Sequence, residues 1–549
     1  MGFRFSIIIG FFVLLYSALL FKLYNLQIEK GDLYAVKAES QLKLAGLIEP
    51  VRGSIYFTDK KGSLIPAAIN KDYPFIAAAP KEIEDVKEAV AALAPIVGKS
   101  EKALQSILGK SNSSYAPILA KATPEQVALI NKSNIPGIYV EDIPARFYPL
   151  KESGSQVLGF VSPNNSSDNR PIGEYGVERF YNDQLFGKKG ALSGELVTKR
   201  TPGEDIKLTI DRNIQSKAEE IITKLIADYQ ASAGSFIVEE PKSGKILAMG
   251  AYPNFDPNIY GSSDIHNFLN PTLQEVYEPG SVFKVLTMAA GIDAGAITPE
   301  STYFDSGSLT LNNRTIKNWD GKAHGETTMT GVIEQSLNTG AAFAERKTGH
   351  KTFLSYLKSF GFKDLTGIDL PGERAGSLAT LETKTMTDIN FATASYGQGI
   401  SVTPLALINA VSALGNGGTL MRPYVNVALE PKEIRRVVKE STAKKVAAMM
   451  ISAVDKAQIA HIPGYALAGK TGTAFIPNFG HSGYTDQVIN TYVGFGPTAD
   501  PQFAILIRLD KPSGAPLAGL TVVPAFKELA EFIIGYMNIG PDRLDSSDN

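Results

Sequence analysis

Tyr277-Glu278-Pro279-Gly280-Ser281-Val282-Phe283-Lys284 is the stretch on which the reading of this chain turns. Glu278-Pro279-Gly280 reverses the chain, and residues 282–294 carry the apolar pattern of a helix. Ser281 is therefore expected at a helix N-terminus, where unpaired N–H groups and the helix dipole favour developing negative charge. Lys284 follows by three residues, on the same face and within reach of the Ser281 hydroxyl. Serine attacks an acyl carbon only if a base takes its proton and donors hold the oxyanion. A lysine that is desolvated, or crowded by a second cation, loses its proton readily enough to be that base.

Composition leaves acid–base chemistry mainly to Lys, Ser, Tyr or carboxylates. The 549 residues include no cysteine, which excludes disulfides, thiolate metal sites and a cysteine nucleophile. The five histidines, His266, His324, His350, His461 and His481, show no metal-ligand spacing. No metal and no cofactor are expected. A hydrophobic fraction of 44% with 20% charged residues is that of folded protein, long enough for two or three domains. The net charge of -2 gives no reason to expect nucleic acid as a partner.

Lysine-assisted acyl transfer uses S-x-x-K together with S-x-N and K-T-G. Each is common by chance. S-x-x-K occurs at Ser40/Lys43, Ser281/Lys284, Ser355/Lys358 and Ser441/Lys444; S-x-N at Ser162/Asn164, Ser167/Asn169, Ser336/Asn338 and Ser547/Asn549; K-T-G at Lys347 and Lys470. Context selects among them. Ser441/Lys444 and Ser355/Lys358 lie in ordinary solvated or amphipathic helices, and Ser167 to Asn169 in a polar loop. Ser336-Leu337-Asn338 falls between helical segments, where both side chains can face a cleft. Lys347 sits at a helix C-terminus closed by Gly349. Lys470 lies in an extended segment whose Gly469 and Gly472 would let a peptide lie against an edge strand.

Outward from these motifs, 235–238 and 245–249 flank the turn Pro241-Lys242-Ser243-Gly244 as a hairpin. Helices are expected at 282–294, 329–347 and 404–414, strands at 465–475, 491–495 and 503–509, and a last helix at 524–536. This order predicts an α+β domain with an antiparallel sheet sandwiched by helices. Before it, 26–210 reads as a mixed α/β region, with helices at 82–97 and 123–131, a loop at 164–171 and a strand at 206–210. Asp211 is a plausible N-cap for the helix that follows. Residues 5–21 carry no charge and would make a helix of about 25 Å, extended by a snorkelling Lys22. The expected organisation is an anchor at 1–25, a pedestal at 26–210, a catalytic domain at 211–540 and a polar tail at 541–549. The anchor would be single-pass with the bulk of the chain outside the cytoplasmic membrane.

The octapeptide at 277–284, Ser336-Leu337-Asn338-Thr339 and Gly469-Lys470-Thr471-Gly472-Thr473-Ala474 resemble, in order, the three active-site motifs of penicillin-binding proteins. Thr366-Gly367-Ile368-Asp369-Leu370-Pro371-Gly372-Glu373, Ser395-Tyr396-Gly397-Gln398-Gly399-Ile400 and Val493-Gly494-Phe495-Gly496-Pro497 are similar to other segments of the same transpeptidase domain. Arg52-Gly53-Ser54-Ile55, Arg146-Phe147-Tyr148-Pro149 and Gly176-Val177-Glu178 look like the pedestal of class B members. Tyr56-Phe57, where the family more often has an acidic residue at the second position after Ile55, and Pro66 depart from that pattern.

The resemblance implies a serine β-lactamase-like fold and a peptidoglycan D,D-transpeptidase that binds β-lactams covalently. Ser281 would be the nucleophile and Lys284 its base. Ser336 would relay a proton to the leaving D-alanine, and Asn338 would bind the substrate amide and help position Lys284. Lys470 would set the electrostatics and, with Thr471, face the substrate carboxylate. The N–H groups of Ser281 and Thr473 would form the oxyanion hole beside Gly472. Implied partners are D-Ala-D-Ala stem peptides, β-lactams, the membrane, a polytopic glycosyltransferase and division proteins. The compact pedestal favours division over elongation. A bifunctional synthase, a β-lactamase, a carboxypeptidase and a silent scaffold are the competing readings; the intact motifs argue against the last.

Overall fold

The computed structural model describes residues 12–17, 19, 22, 24, 50–110, 113–163, 171–188, 191–193, 196–198, 201–478, 480–481, 483–514 and 517–543. Most of the expected anchor, the loop at 164–170 and the motif copies at Ser40/Lys43, Ser167/Asn169 and Ser547/Asn549 lie outside them. Residues 12–17 are helical and exposed. Among the described residues no helix is long and apolar enough to cross a membrane. The chain forms two compact units, 1–53 with 183–204 and 54–182 with 205–549. The first carries the hairpin of Ala191–Ser193 and Leu196–Thr198; the second holds both five-stranded sheets.

The first sheet comprises β1 (Ile55–Thr58), β2 (Ile65–Ala78), β3 (Ala116–Leu119), β4 (Ile138–Phe147) and β5 (Ile206–Asp211). The long β2 pairs antiparallel with β1, β3 and β4, and β5 joins β1 in parallel. Helices α1 (Val86–Val97), α2 (Glu101–Leu108) and α3 (Pro124–Ser133) bury Leu93, Leu104 and Ile130 with Ile76. Each starts at a side-chain cap, Asp85, Ser100 or Thr123. The Asp85 cap is why the helix expected from residue 82 begins at Val86, after a short 3-10 turn at Pro80–Glu82. The departures from pattern leave this sheet paired: Pro66 stands opposite Tyr56, and Ile55 and Phe57 are fully buried.

Two upstream motifs meet here. Arg146 Nε lies 2.6 Å from Glu178 Oε1, which also accepts the Tyr148 hydroxyl at 3.2 Å, and all three residues are buried. A buried ion pair survives desolvation only with such additional hydrogen bonds.

The second sheet comprises β6 (Ala233–Glu240), β7 (Lys245–Tyr252), β8 (Ala468–Pro477), β9 (Tyr484–Gly496) and β10 (Phe503–Asp510). Its order is β7-β6-β10-β9-β8, antiparallel throughout, with β8 at the edge. The associated helices are α4 (Arg212–Tyr229), α5 (Lys284–Asp293), α6 (Met329–Gln335), α7 (Asn338–Thr348), α8 (Pro404–Gly415), α9 (Glu440–Ala457) and α10 (Val522–Met537). Strand alternation sends Phe236, Val238, Ile505 and Ile507 into a core with α4 and α10. Ile237 and Glu239 face the other side, where α8 packs against β6, β9 and β10. The sheet expected between helices is thus present. Asp211 caps α4, accepting from Asn213 N at 2.8 Å and Ile214 N at 3.1 Å. The helical stretch expected over 329–347 is α6 and α7, interrupted, as the motif at 336–338 implied, at Ser336, whose φ of 56° is left-handed.

The segment 366–373 acquires a physical role. Buried Asp369 accepts from Val425 N at 2.7 Å, Asn426 N at 3.0 Å and the Tyr181 hydroxyl at 2.6 Å. Glu373 turns back to accept from Thr366 N at 2.7 Å. One short segment thereby ties Tyr181 to the stretch at 424–426, which bridges Leu208 of the first sheet and Lys245.

Candidate active site

Ser281 lies on a 3-10 turn, Gly280–Phe283, that runs directly into α5. Two close approaches fix this turn. A Cβ on Gly472 would stand 2.8 Å from Pro279 O, so only glycine lets β8 pass this close to the serine turn. On the other side Gly397, at φ 79°, accepts from Gly280 N at 3.1 Å, and a Cβ there would meet Gly280 O at 2.3 Å. The serine is therefore clamped between the edge strand and the turn at 395–400.

Four predicted side chains converge. Lys284 Nζ donates to Ser281 Oγ at 2.9 Å, to Ser336 O at 2.5 Å and to Ser336 Oγ at 3.2 Å. Lys470 Nζ donates to Ser336 Oγ at 2.9 Å and to Thr471 O and Oγ1 at 3.1 and 3.2 Å. Ser336 thus bridges two lysines from elements distant in sequence. Lys284 is fully buried and Lys470 only 4% exposed. Burial, and then the charge of Lys470, hold Lys284 well below its ordinary range. Burial pushes Lys470 down to about 7. No carboxylate pairs with either lysine among the described residues, so the neutral form is the stable one for at least one of them.

Thr471, Gly472 and Thr473 follow Lys470 along β8, which among the described residues pairs on one side only, with β9. Its other edge is open to an extended peptide. Thr473 Oγ1 accepts from Ala518 N at 3.2 Å.

Asn338 stands differently from expectation. Its side-chain amide donates to Lys317 O at 2.8 Å, and its backbone N–H to Asn318 Oδ1 at 3.0 Å. The lysine contact expected of it is made by the Ser336 carbonyl instead. The reason is tertiary: the end of the hairpin at 308–317 packs against the start of α7, so Lys317 O and Asn318 Oδ1 take these donors.

The competing motif copies are dispersed. Lys358 pairs with Glu382, Lys444 with Glu440, and Lys347 lies over the Phe343 ring in α7.

Several supporting residues carry no local signature. Asn318 Oδ1 accepts from Asn338 N, Thr339 N and Thr339 Oγ1, while Asp305, fully buried, accepts from Thr339 Oγ1 at 2.7 Å and Asn318 Nδ2 at 2.8 Å. This network holds the turn on which Ser336 sits. Trp319 Nε1 donates to Gln335 O at 3.0 Å, one residue before Ser336. Beneath the serine turn, Arg508 stacks on Tyr277 at 4.6 Å and is fixed by two 2.7 Å bonds to Asp510. Only the Ser281, Ser336 and Lys470 motifs had a spacing to read; these partners come from a hairpin and strands far away in sequence.

Comparison with known proteins agrees with this geometry. The penicillin-binding protein transpeptidase domain matches residues 234–531, and the penicillin-binding protein dimerisation domain matches 47–218. The chain is 30% identical to stage V sporulation protein D of Bacillus subtilis, over 93% of this chain and 83% of that protein. It is 27% identical to the peptidoglycan D,D-transpeptidase FtsI of Escherichia coli K12, over 99% and 94% of the two chains. Its fold is similar to a solved structure described as a peptidoglycan synthetase from Bifidobacterium adolescentis, with a TM-score of 0.69 covering 91% of this chain and 97% of that one at 24% identity. With a transpeptidase match across more than half its length, a dimerisation domain ahead of it, and a serine held between two buried lysines, the chain belongs to the class B penicillin-binding proteins.

Proposed function

We propose that this protein is a peptidoglycan D,D-transpeptidase of the septal type, held at the cytoplasmic membrane by residues 1–25, with pedestal 26–210, catalytic domain 211–540 and tail 541–549. The observation that carries the chemistry is the 2.9 Å contact between Lys284 Nζ and Ser281 Oγ, with Ser336 bridging to Lys470. Neutral Lys284 takes the hydroxyl proton as Ser281 Oγ attacks the carbonyl of the penultimate D-alanine. The N–H groups of Ser281 and Thr473 receive the oxyanion. Ser336 passes a proton to the departing D-alanine nitrogen, leaving an ester on Ser281. Lys470 and Thr471 hold the substrate carboxylate, and Asn338, from the rim of α7, contacts the substrate amide. An amine of a second strand then attacks the ester; the new amide forms as the bond to Ser281 Oγ breaks, and the amine's proton passes through Ser336 and Lys284 to Ser281 Oγ. A β-lactam enters by the same attack and stays as an acyl-enzyme, because its opened ring remains attached.

The likeness to FtsI and the compact pedestal support the septal role, with a polytopic glycosyltransferase as partner. The uncharged run at 5–21, and the exposure of Phe12 and Leu14 at 64% and 73%, support the anchor. Exposure to a β-lactam followed by intact-protein mass spectrometry tests the reading: one adduct is expected in the wild type and none in Ser281→Ala. An adduct that survives the substitution overturns it.

A further inference from the structure

His350 takes no part in the steps above, yet it stands between two carboxylates. Its Nδ1 lies 2.7 Å from Glu345 Oε1 and its Nε2 3.0 Å from Asp388 Oδ1. A neutral imidazole carries one N–H and can donate to only one of them. The imidazolium donates to both. Glu345 is fully buried, and no lysine or arginine bonds to it or to Asp388 among the described residues. Removing the ring's proton would leave that buried carboxylate without its compensating charge. The ring also lies flat on buried Phe391, with centroids 4.2 Å apart and planes inclined by 15°.

The charged groups facing His350 are Glu345 from α7, with Arg346 beside it, and Asp388 from the helix Asp388–Ala394. Burial alone would lower the His350 pKa, but the hydrogen bonds to Asp388 and Glu345 outweigh it, and the net shift is upward from 6.5. The double contact is therefore complete at acid pH and is lost as pH rises through the raised value.

The two carboxylates belong to elements that hold the two reacting serines. Glu345 is on α7, which directly follows the turn carrying Ser336. Asp388 opens a helix that runs into the turn at 395–397. There Ser395 O accepts from Thr287 Oγ1 of α5 at 2.7 Å, and Gly397 O accepts from Gly280 N at 3.1 Å. The helices themselves meet through apolar side chains, Ala341 and Ala342 with Ile389 and Ala392. His350 adds a charged pin to that contact.

We propose that His350 is a positioning residue for acylation: as an imidazolium it pins the helix Asp388–Ala394 to α7, and so keeps the clamp on Ser281 in register with the turn of Ser336. This rests on the reading of Ser281 as the acylated nucleophile. Loss of the ring proton slackens the pin and slows acylation without touching either lysine.

The test uses the full chain in detergent and has two arms. In the first, the protein is labelled in its histidine rings and titrated by NMR, and the His350 signal is the one missing from His350→Gln. Its midpoint is expected above the ordinary 6.5 and should fall in Asp388→Asn. A wild-type midpoint at or below 6.5 overturns the proposal without any variant having to fold. The second arm is the rate of Ser281 acylation by one β-lactam, expressed at each pH as the ratio of wild type to His350→Gln. Titration of Lys284 and Lys470 then cancels. The ratio is expected to be roughly 5-fold or more below the His350 midpoint and to close to within about twofold above it. A ratio that stays constant through the midpoint overturns the proposal, because His350 then supports the fold alone. Failure of the Ser281 reading looks different: no β-lactam adduct forms on Ser281 in either protein at any pH.

Discussion

Lys284 Nζ meets the main-chain carbonyl of Ser336 at 2.5 Å, and it can do so because Ser336 is held in the left-handed region at φ 56°. A non-glycine residue there costs on the order of 1–3 kcal/mol and persists only where its surroundings over-determine it. Here the Asn318–Asp305 network and the start of α7 do so. The strained turn directs one oxygen at Lys284 and the hydroxyl between both lysines.

Substitution at Ser336 separates strain from chemistry. Ser336→Ala and Ser336→Gly both remove the hydroxyl, and each is expected to slow β-lactam acylation by roughly 10²-fold or more. They should differ in stability, with Ser336→Gly the more stable by about 1 kcal/mol because glycine adopts positive φ freely. Urea denaturation measures this. Equal stability would mean that the turn is not strained.

Asn318→Ala removes one acceptor from three donors at the start of α7. It should cost about 1–3 kcal/mol and lower the acylation rate although Asn318 touches neither reacting lysine. A variant that is destabilised but acylates at the wild-type rate would show that the network supports the fold and not the site.

Trp319 is the sole tryptophan of the chain, and its indole is fixed to the residue before Ser336. Tryptophan emission should therefore change as a β-lactam acylates the protein, with the same rate constant as adduct formation by mass spectrometry. The change should be absent in Ser281→Ala. An unaltered spectrum on full acylation would place the indole outside the influence of the site.

How far the sequence could be read follows from what holds each part. Ser281 with Lys284 was legible because both sit on one continuous turn and helix, and β6–β7 because Pro241 to Gly244 punctuates them. The break between α6 and α7 was legible in the motif at 336–338, but its left-handed geometry was not, because Ser336 gives no warning of positive φ as a glycine would have done. Asn338 was expected near Lys284 from the resemblance alone; its actual partners, Lys317 and Asn318, lie at the far end of a hairpin that only the folded chain brings close. His350 was visible merely as a histidine without metal-ligand spacing, since only the folded chain brings Asp388 to its second nitrogen.

Glu239 gives a stability prediction unrelated to catalysis. It is fully buried between β6 and α8, with no cation beside it among the described residues and only the Ser412 hydroxyl to offset desolvation, and burial pushes its pKa up to about 8. The native state keeps the proton that the unfolded chain releases near 4.5. The resulting stabilisation is complete below the unfolded pKa and is lost as pH rises toward 8, a change on the order of 3 kcal/mol or more. Glu239→Gln should flatten this dependence, raising the thermal midpoint at pH 8.5 but not at pH 4. If both proteins lose stability in parallel over that range, Glu239 is ionised in the fold.

The central claim is that Lys284 acts as a neutral base while Lys470 acts through its charge. Its most direct test is the second-order rate of Ser281 acylation by one β-lactam, measured across pH for Lys284→Arg and Lys470→Arg. Guanidinium keeps the charge but does not deprotonate near neutral pH. Lys284→Arg should lose roughly 10²–10⁴-fold at every pH. Lys470→Arg should retain part of the rate. Its alkaline fall, which in the wild type follows loss of the Lys470 proton at about 7, should move to higher pH. Equal impairment of the two variants, or a larger loss in Lys470→Arg, contradicts the assignment of Lys284 as the base.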